Sequence, residues 1–242
     1  MIRAAAETAA AIDAGPIDTA AALTLDQIDL LADASELPVE TGWCWLPNGV
    51  GYVAVLTPMP GVTGEMIDWW FDWHPRDSER YKLWHPEAHF GNRLVPSAEA
   101  GEKPFWGATH FPDEDIGTGR EELRIEFKRP SELGFASDLL DHPRVATCVG
   151  GWVGSVKRHA RFAQVTHVFL RDGDGVKLRS RFWLGANIRP DWGGALVAKI
   201  ANIRPVRRVV IPRSAPRALA HHCADEFANL AAILPGLYEQ NA

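Results

Sequence analysis

The sequence predicts an α+β fold, a curved antiparallel sheet wrapped over one long C-terminal helix, with a helical extension at the N-terminus. Three observations carry this. Strand-like runs follow one another between residues 123 and 184, separated by turn residues. Ala215 to Leu234 then carries a helical apolar stripe: Leu219, Cys223, Phe227, Leu230 and Leu234. The first 40 residues are Ala-rich and helical in character. Strands in series followed by a helix, rather than strict alternation, is the α+β pattern.

Residues 1–40 form a helical arm ahead of a main domain spanning 41–242. Within the arm a helix is expected over 24–33, capped by Thr24, with Leu25, Ile28, Leu30 and Leu31 at rough helical spacing. Such an arm covers a neighbouring surface or a dimer partner. Tyr52–Thr57 is a β run ended by Pro58 and Pro60. Thr63 caps a helix reaching Trp73, and Glu65 in its first turn suits the dipole. Residues 74–118 are rich in Pro, Gly and His with weak periodicity, which reads as a long functional loop. Leu123–Phe127 alternates cleanly and Pro130 ends it. Val145–Val156 reads as a Gly-containing strand pair. Gln164–Arg171 and Val176–Leu184 are strands joined by the turn Asp172-Gly173-Asp174-Gly175. Gly193-Gly194 marks a further turn, and Val206–Ile211 a last short strand, making Arg204-Pro205-Val206-Arg207-Arg208 either a solvated edge strand or a polyanion site. The C-terminal helix is expected to stop before Pro235.

With 242 residues, 46% of them hydrophobic, the chain can bury a large core. A net charge of −6 argues against a nucleic-acid binder, which needs a concentrated basic surface. No apolar run is long enough for a membrane span, and Arg3, Glu7 and Asp13 interrupt any signal-peptide core. Three widely spaced cysteines without a CxxC fit neither a disulfide framework nor a thiolate zinc site, so a reducing cytoplasm is expected. Ten Trp and ten Phe against three Tyr either fill a core or line a wide cavity for an aromatic ligand.

The chemistry sits in two clusters. His222 and Glu226 lie four residues apart on one helix face, beside the apolar stripe, while His221 and Asp225 point toward solvent. Such a pair either binds an ion or forms a surface hydrogen bond. Upstream, His85-Pro86-Glu87-Ala88-His89 lies between Tyr81 and Asn92. These two histidines are either ligands or structural loop residues. Imidazole and carboxylate together equip catalytic zinc sites. Tyr and Asn are suitable partners for phenolic or carbonyl oxygens.

Five blocks occur in one order: Tyr81-Lys-Leu-Trp-His-Pro-Glu-Ala-His-Phe-Gly-Asn92; Glu114-Asp-Ile-Gly117; Leu123-Arg-Ile-Glu-Phe-Lys-Arg-Pro-Ser131 with Gly134; Arg179-Ser-Arg-Phe-Trp-Leu-Gly185; and His222-Cys-Ala-Asp-Glu226 with Leu234-Pro235. On these blocks the chain, from about Gly42 to Tyr238, resembles the 2,4-diacetylphloroglucinol hydrolase and phloretin hydrolase family. The resemblance implies a Bet v 1-like helix-grip fold around a zinc ion (Zn2+). It implies hydrolysis of the C–C bond between an acyl group and a phloroglucinol-type ring, releasing a carboxylic acid. The implied metal ligands are His89, Glu114, His222 and Glu226, with Glu121 or Glu122 as alternatives to Glu114. Tyr81 and Asn92 are the implied substrate contacts, and Trp84 and Trp183 are expected to join them. A further histidine is implied near the substrate; His167 is either that residue or a core or edge histidine, and His167 and Glu226 are the catalytic candidates. No Tyr lies between Tyr81 and Tyr238, so a family contact made by a tyrosine on the later strands has no counterpart here. Two other functions stay open at this point: a non-catalytic carrier of an aromatic ligand, and a metal-dependent lyase in the same pocket. The expected partner is a small aromatic acyl ketone, with no nucleic acid or membrane, and a homodimer is expected.

Overall fold

In the computed structural model, which describes residues 1–33, 35–98 and 101–242, the strands join in a single antiparallel sheet. They are β1 (Gly42–Trp45), β2 (Gly51–Met59), β3 (His89–Val95), β4 (Thr109–Glu114), β5 (Glu121–Phe127), β6 (Val145–Ser155), β7 (Ala160–Asp172) and β8 (Gly175–Pro190). Their spatial order is β1-β2-β8-β7-β6-β5-β4-β3, so β3 to β8 form a meander and the first two strands add to its far side. The helices are α1 (Ala6–Asp13), α2 (Leu30–Asp33), α3 (Gly64–Trp73), α4 (Ser78–Trp84), α5 (Gly194–Ala201), α6 (Arg204–Val210) and α7 (Ala215–Asn241).

The expected α+β grip of sheet on helix is the architecture observed. Leu219, Cys223, Phe227, Leu230 and Leu234 are all buried, packed with Val55, Phe169 and Leu178 of the sheet. A second apolar layer forms on the other face, where Leu23, Ile28 and Leu31 of the arm meet Tyr52, Val168 and Trp183. Alternation along each strand feeds both layers. Thr63 caps α3 as expected, its hydroxyl accepting from the Met66 amide at 3.3 Å.

Several elements differ from the sequence expectation. The helix over 24–33 is split into a short turn at Leu25–Gln27 and α2, because the arm bends to lay its apolar residues on the sheet. Residues 74–118 contain α4, β3 and β4 rather than a long loop; their brevity and an exposed edge strand hid the period. Val145–Ser155 is one strand, not a pair. Its glycines serve close approach: a Cβ on Gly150 would sit 2.6 Å from Leu133 Cδ1 and 2.8 Å from the Val165 carbonyl. The segment expected as a last edge strand is helical. Gly193 (φ 78°) turns the chain into α5, and Pro205 in the first turn of α6 has a preset helical φ. Finally, α7 continues through Pro235 to Asn241, held by Leu234, which is fully buried, and by an edge-on contact of Tyr238 with Trp69 at 5.4 Å.

The arm lies along its own chain. Ile12 is buried in the inner layer, and Trp43 Nε1 donates to its carbonyl at 3.0 Å. Asp13 meets Arg217 at 2.7 Å and His221 at 2.8 Å, while Arg3 meets Asp225 at 2.7 Å. His221 and Asp225 therefore face arm residues rather than open solvent.

Candidate metal centre

Four expected ligands converge where α7 crosses the β3–β4 end of the sheet. His89 opens β3 and is the register partner of Glu114 at the end of β4, with a bulge between His89 and Gly91. Bulges of this kind re-aim side chains beside functional sites. His222 and Glu226 come from α7, one turn apart. His89 Nε2 lies 3.4 Å from His222 Nε2, 3.5 Å from Glu114 Oε2 and 3.7 Å from Glu226 Oε2. His222 Nε2 lies 3.8 Å from Glu226 Oε2. Donor atoms of His89, Glu114 and His222 all fall within 4.8 Å of one another. Four ligands at about 2.0–2.1 Å from one tetrahedral ion stand about 3.3–3.4 Å apart, so the spacing fits a small cation.

The donor chemistry points the same way. His89 Nδ1 is 3.2 Å from the Tyr81 carbonyl, which can only accept, so Nδ1 carries the proton and Nε2 presents a lone pair. That lone pair faces a second imidazole nitrogen and two carboxylates. Among the described residues no lysine or arginine pairs with Glu114 or Glu226. Tyr81 donates its hydroxyl to Glu114 Oε2 and stacks flat on His89, with centroids 4.0 Å apart. Glu121 and Glu122, the alternatives to Glu114, lie elsewhere: Glu121 accepts from Ser155, and Glu122 stands 3.7 Å from Arg93. His85 stacks on His222 at 4.9 Å and stays outside the donor set.

Burial governs the charge state. It pushes the Glu114 carboxyl up to about 7, and it raises Glu226 well above the usual range, with Glu114 adding to the effect. It lowers His222 to about 3 and His89 well below its ordinary value. Both imidazoles are thus neutral at working pH, and the carboxyls carry the pH dependence. The folded value of Glu114 is raised, so its contribution to the metal-free fold is fully present below about 4.5 and lost as pH rises through about 7. A cation needs the ionised form. Metal affinity is therefore expected to rise between about pH 6 and pH 8, with protons released on binding at about pH 6. Calorimetric titration in buffers of different ionisation heat measures this; binding without proton release would contradict it. Tyr81→Phe is expected to weaken metal binding about 10- to 100-fold, as loss of a ligand's hydrogen-bond partner does. Competition with a chelator reads that change, and an unaltered affinity would contradict it.

The cluster forms one wall of a cavity between sheet and helix, lined also by Tyr81, Trp84, Asn92, His167, Phe182 and Phe127. His167 Nδ1 lies 2.8 Å from Ser180 Oγ, and burial lowers this imidazole to about 3. Among the described residues, nothing bonds to either polar atom of the buried Asn92 side chain or to the buried Trp84 Nε1. Trp183 departs from expectation. It faces the outer layer, where Nε1 donates to the Leu23 carbonyl at 2.8 Å, and Phe182 takes the cavity side. His74 and His110, absent from the sequence-based set, also line the cavity. Their segment carries no clear strand period in the sequence, which conceals them.

Residues 23–239 match the family model of the DAPG hydrolase PhiG domain. The chain belongs to the DAPG hydrolase family. It is 35% identical to the phloretin hydrolase of Eubacterium ramulus, over 97% of this chain and 85% of that protein. It is 30% identical to the 2,4-diacetylphloroglucinol hydrolase of Pseudomonas protegens, over 95% of this chain and 78% of that one. The family match begins inside the arm, earlier than the Gly42 block, at the residues that cover the outer sheet face. Among solved structures, that of Ara h 8.0201 aligns over 80% of this chain and all of its own, with 11% identity and a TM-score of 0.43.

Proposed function

We propose that this DAPG hydrolase family member is a zinc-dependent hydrolase that cleaves the C–C bond joining an acyl group to a phloroglucinol-type ring. The observation that carries the reading is the buried set of two imidazoles and two carboxyls at one end of an aromatic-lined cavity. A two-nitrogen, two-oxygen set suits zinc. His89, Glu114, His222 and Glu226 would hold the ion, which when bound supplies a Lewis acid and an activated water.

The chain's own residues supply the rest. Tyr81 fixes the Glu114 carboxylate through its hydroxyl and the His89 ring through its carbonyl and by stacking. Asn92 offers a free amide to a ring hydroxyl. His167, neutral and steadied by Ser180, offers a hydrogen bond to the oxygen that gains charge as the acyl carbonyl is attacked. Trp84, Phe182 and Phe127 keep bulk water from the ring. Overall, water adds to the acyl carbon, the bond to the ring breaks, and the ring carbon takes a proton. The electron pair left on the ring spreads into its oxygens, which makes the ring a workable leaving group. Three free, buried cysteines suit a cytoplasmic setting.

The test is to incubate zinc-loaded protein with phloretin and with 2,4-diacetylphloroglucinol and follow products by mass. The reading predicts a free carboxylic acid and a ring lacking one acyl group. Tight binding of both compounds without turnover would overturn it in favour of a carrier.

A further inference from the structure

The cavity has a second polar end that the metal cluster does not use. His110 lies on β4 and faces the cavity together with Pro112 and Glu114, the alternate residues of the same strand. Four residue steps along the strand separate His110 from Glu114 by about 13 Å at Cα, which puts the histidine away from the cluster. His110 is only 4% exposed, and its Nε2 is buried without a hydrogen-bond partner. Asn92 on β3 is the register partner of Pro112, so it is a diagonal neighbour of His110 on one face of the sheet. Both polar atoms of its side chain are buried and unpartnered too.

Among the described residues, none bonds to His110 Nε2. Phe127 packs on its ring at 4.4 Å, and His74 meets it edge-on at 5.8 Å. His74 is itself committed, its Nδ1 donating to the Trp70 carbonyl at 2.6 Å. Burial keeps His110 neutral, so its ring carries one N–H and one lone pair. Buried polar atoms in native proteins are normally paired. Three such atoms, on two residues that line one aromatic-walled cavity, suit a ligand that is flat and apolar on its faces and carries hydroxyls on its rim.

We propose that His110 is a substrate-binding residue which, with Asn92, takes the ring hydroxyls of a polyhydroxylated benzene ring through Nε2. This rests on the acylphloroglucinol reading of the cavity and adds to it which end holds the ring. The acyl carbonyl is then left at the metal cluster.

The experiment uses the full chain loaded with zinc and two probes of the same threefold shape, 1,3,5-trihydroxybenzene and 1,3,5-trimethylbenzene. Affinities are measured by calorimetry for the native protein, His110→Phe and His110→Gln, with metal content checked in each. One buried hydrogen bond corresponds to roughly a tenfold change in Kd. The expected result is that His110→Phe binds the trihydroxy probe about tenfold more weakly and the trimethyl probe no more weakly, with zinc retained. His110→Gln, which keeps a polar tip, should recover much of the loss. Equal weakening of both probes, or none of either, would overturn the proposal. Hydrolysis of 2,4-diacetylphloroglucinol by the native protein is measured in parallel. Turnover with an unchanged trihydroxy affinity in His110→Phe sinks this inference alone. Absence of both turnover and ring binding in the native protein sinks the functional reading with it.

Discussion

Glu226→Ala is expected to lose the metal and the activity together, with turnover falling by on the order of 1,000-fold or more. The carboxylate lies against both histidines, at 3.7 Å from His89 Nε2 and 3.8 Å from His222 Nε2. Without it the site keeps the His89, Glu114 and His222 donors but loses one of its two anionic oxygens, which weakens its hold on a cation. The folding consequence runs the other way. Burial already raises the Glu226 carboxyl well above its ordinary value, so the metal-free fold keeps it neutral at a cost. The variant should therefore unfold in chelator at a temperature no lower than the metal-free native protein. Asp225→Asn is the matched control. It removes the ion pair with Arg3 of the arm and leaves an oxygen to accept from the Ala4 amide, and pairs with a solvent-exposed arginine contribute little. Full zinc occupancy and turnover in Glu226→Ala would refute the assignment.

The second large effect is on stability. Arg179 and Arg181 are fully buried, and Glu40 of the arm is the carboxylate that meets both. Arg179 Nε donates to Glu40 Oε2 at 3.1 Å, and its other nitrogens reach the Leu31 and Ser35 carbonyls. Removing one partner of a buried pair leaves an uncompensated charge and costs about 3–5 kcal/mol. The Glu40 side chain keeps 24% exposure, which favours the lower end. Glu40→Ala is thus expected to lower the melting temperature by roughly 10 °C in thermal denaturation. Burial tends to raise the Glu40 carboxyl, but the bonds from Arg179 and the charge of Arg181 overcome it, leaving it below its usual value. Its contribution is therefore present above about pH 4.5 and lost as pH falls through the lower folded value. The variant should show a correspondingly shallower acid transition. A melting temperature within about 1 °C of the native protein would contradict this account.

Much of this architecture was legible in the residues. The helical stripe from Leu219 to Leu234 and the turn at Asp172–Gly175 are local signals, and both elements form where those signals lie. His222 and Glu226 share a face by helical arithmetic alone. Bringing them to His89 and Glu114 depends on the sheet's closure over α7, which no local pattern encodes; the resemblance supplied that step. The outward side of Trp183 is encoded in the strand registers. Counting back from the two-residue turn pairs His167 with Ser180 and Gln164 with Trp183, on opposite faces. A strand that turns His167 inward must turn Trp183 outward. His110 was hidden differently. Once Glu114 is placed on a strand, period two brings His110 to the same face, but Pro112 and the weak alternation around it made that strand read as loop. The C-terminal helix passes Pro235 because tertiary contacts at Leu234 and Tyr238 outweigh a lost backbone bond.

The most direct test is elemental analysis of untagged protein, native and His222→Ala, each assayed before and after chelation. About one zinc per chain is expected in the native protein and none in the variant. Acylphloroglucinol hydrolysis is expected to disappear with the metal and return when zinc is restored. Protein that stays free of metal after zinc is offered, or that cleaves the substrate equally well without it, would contradict the central claim.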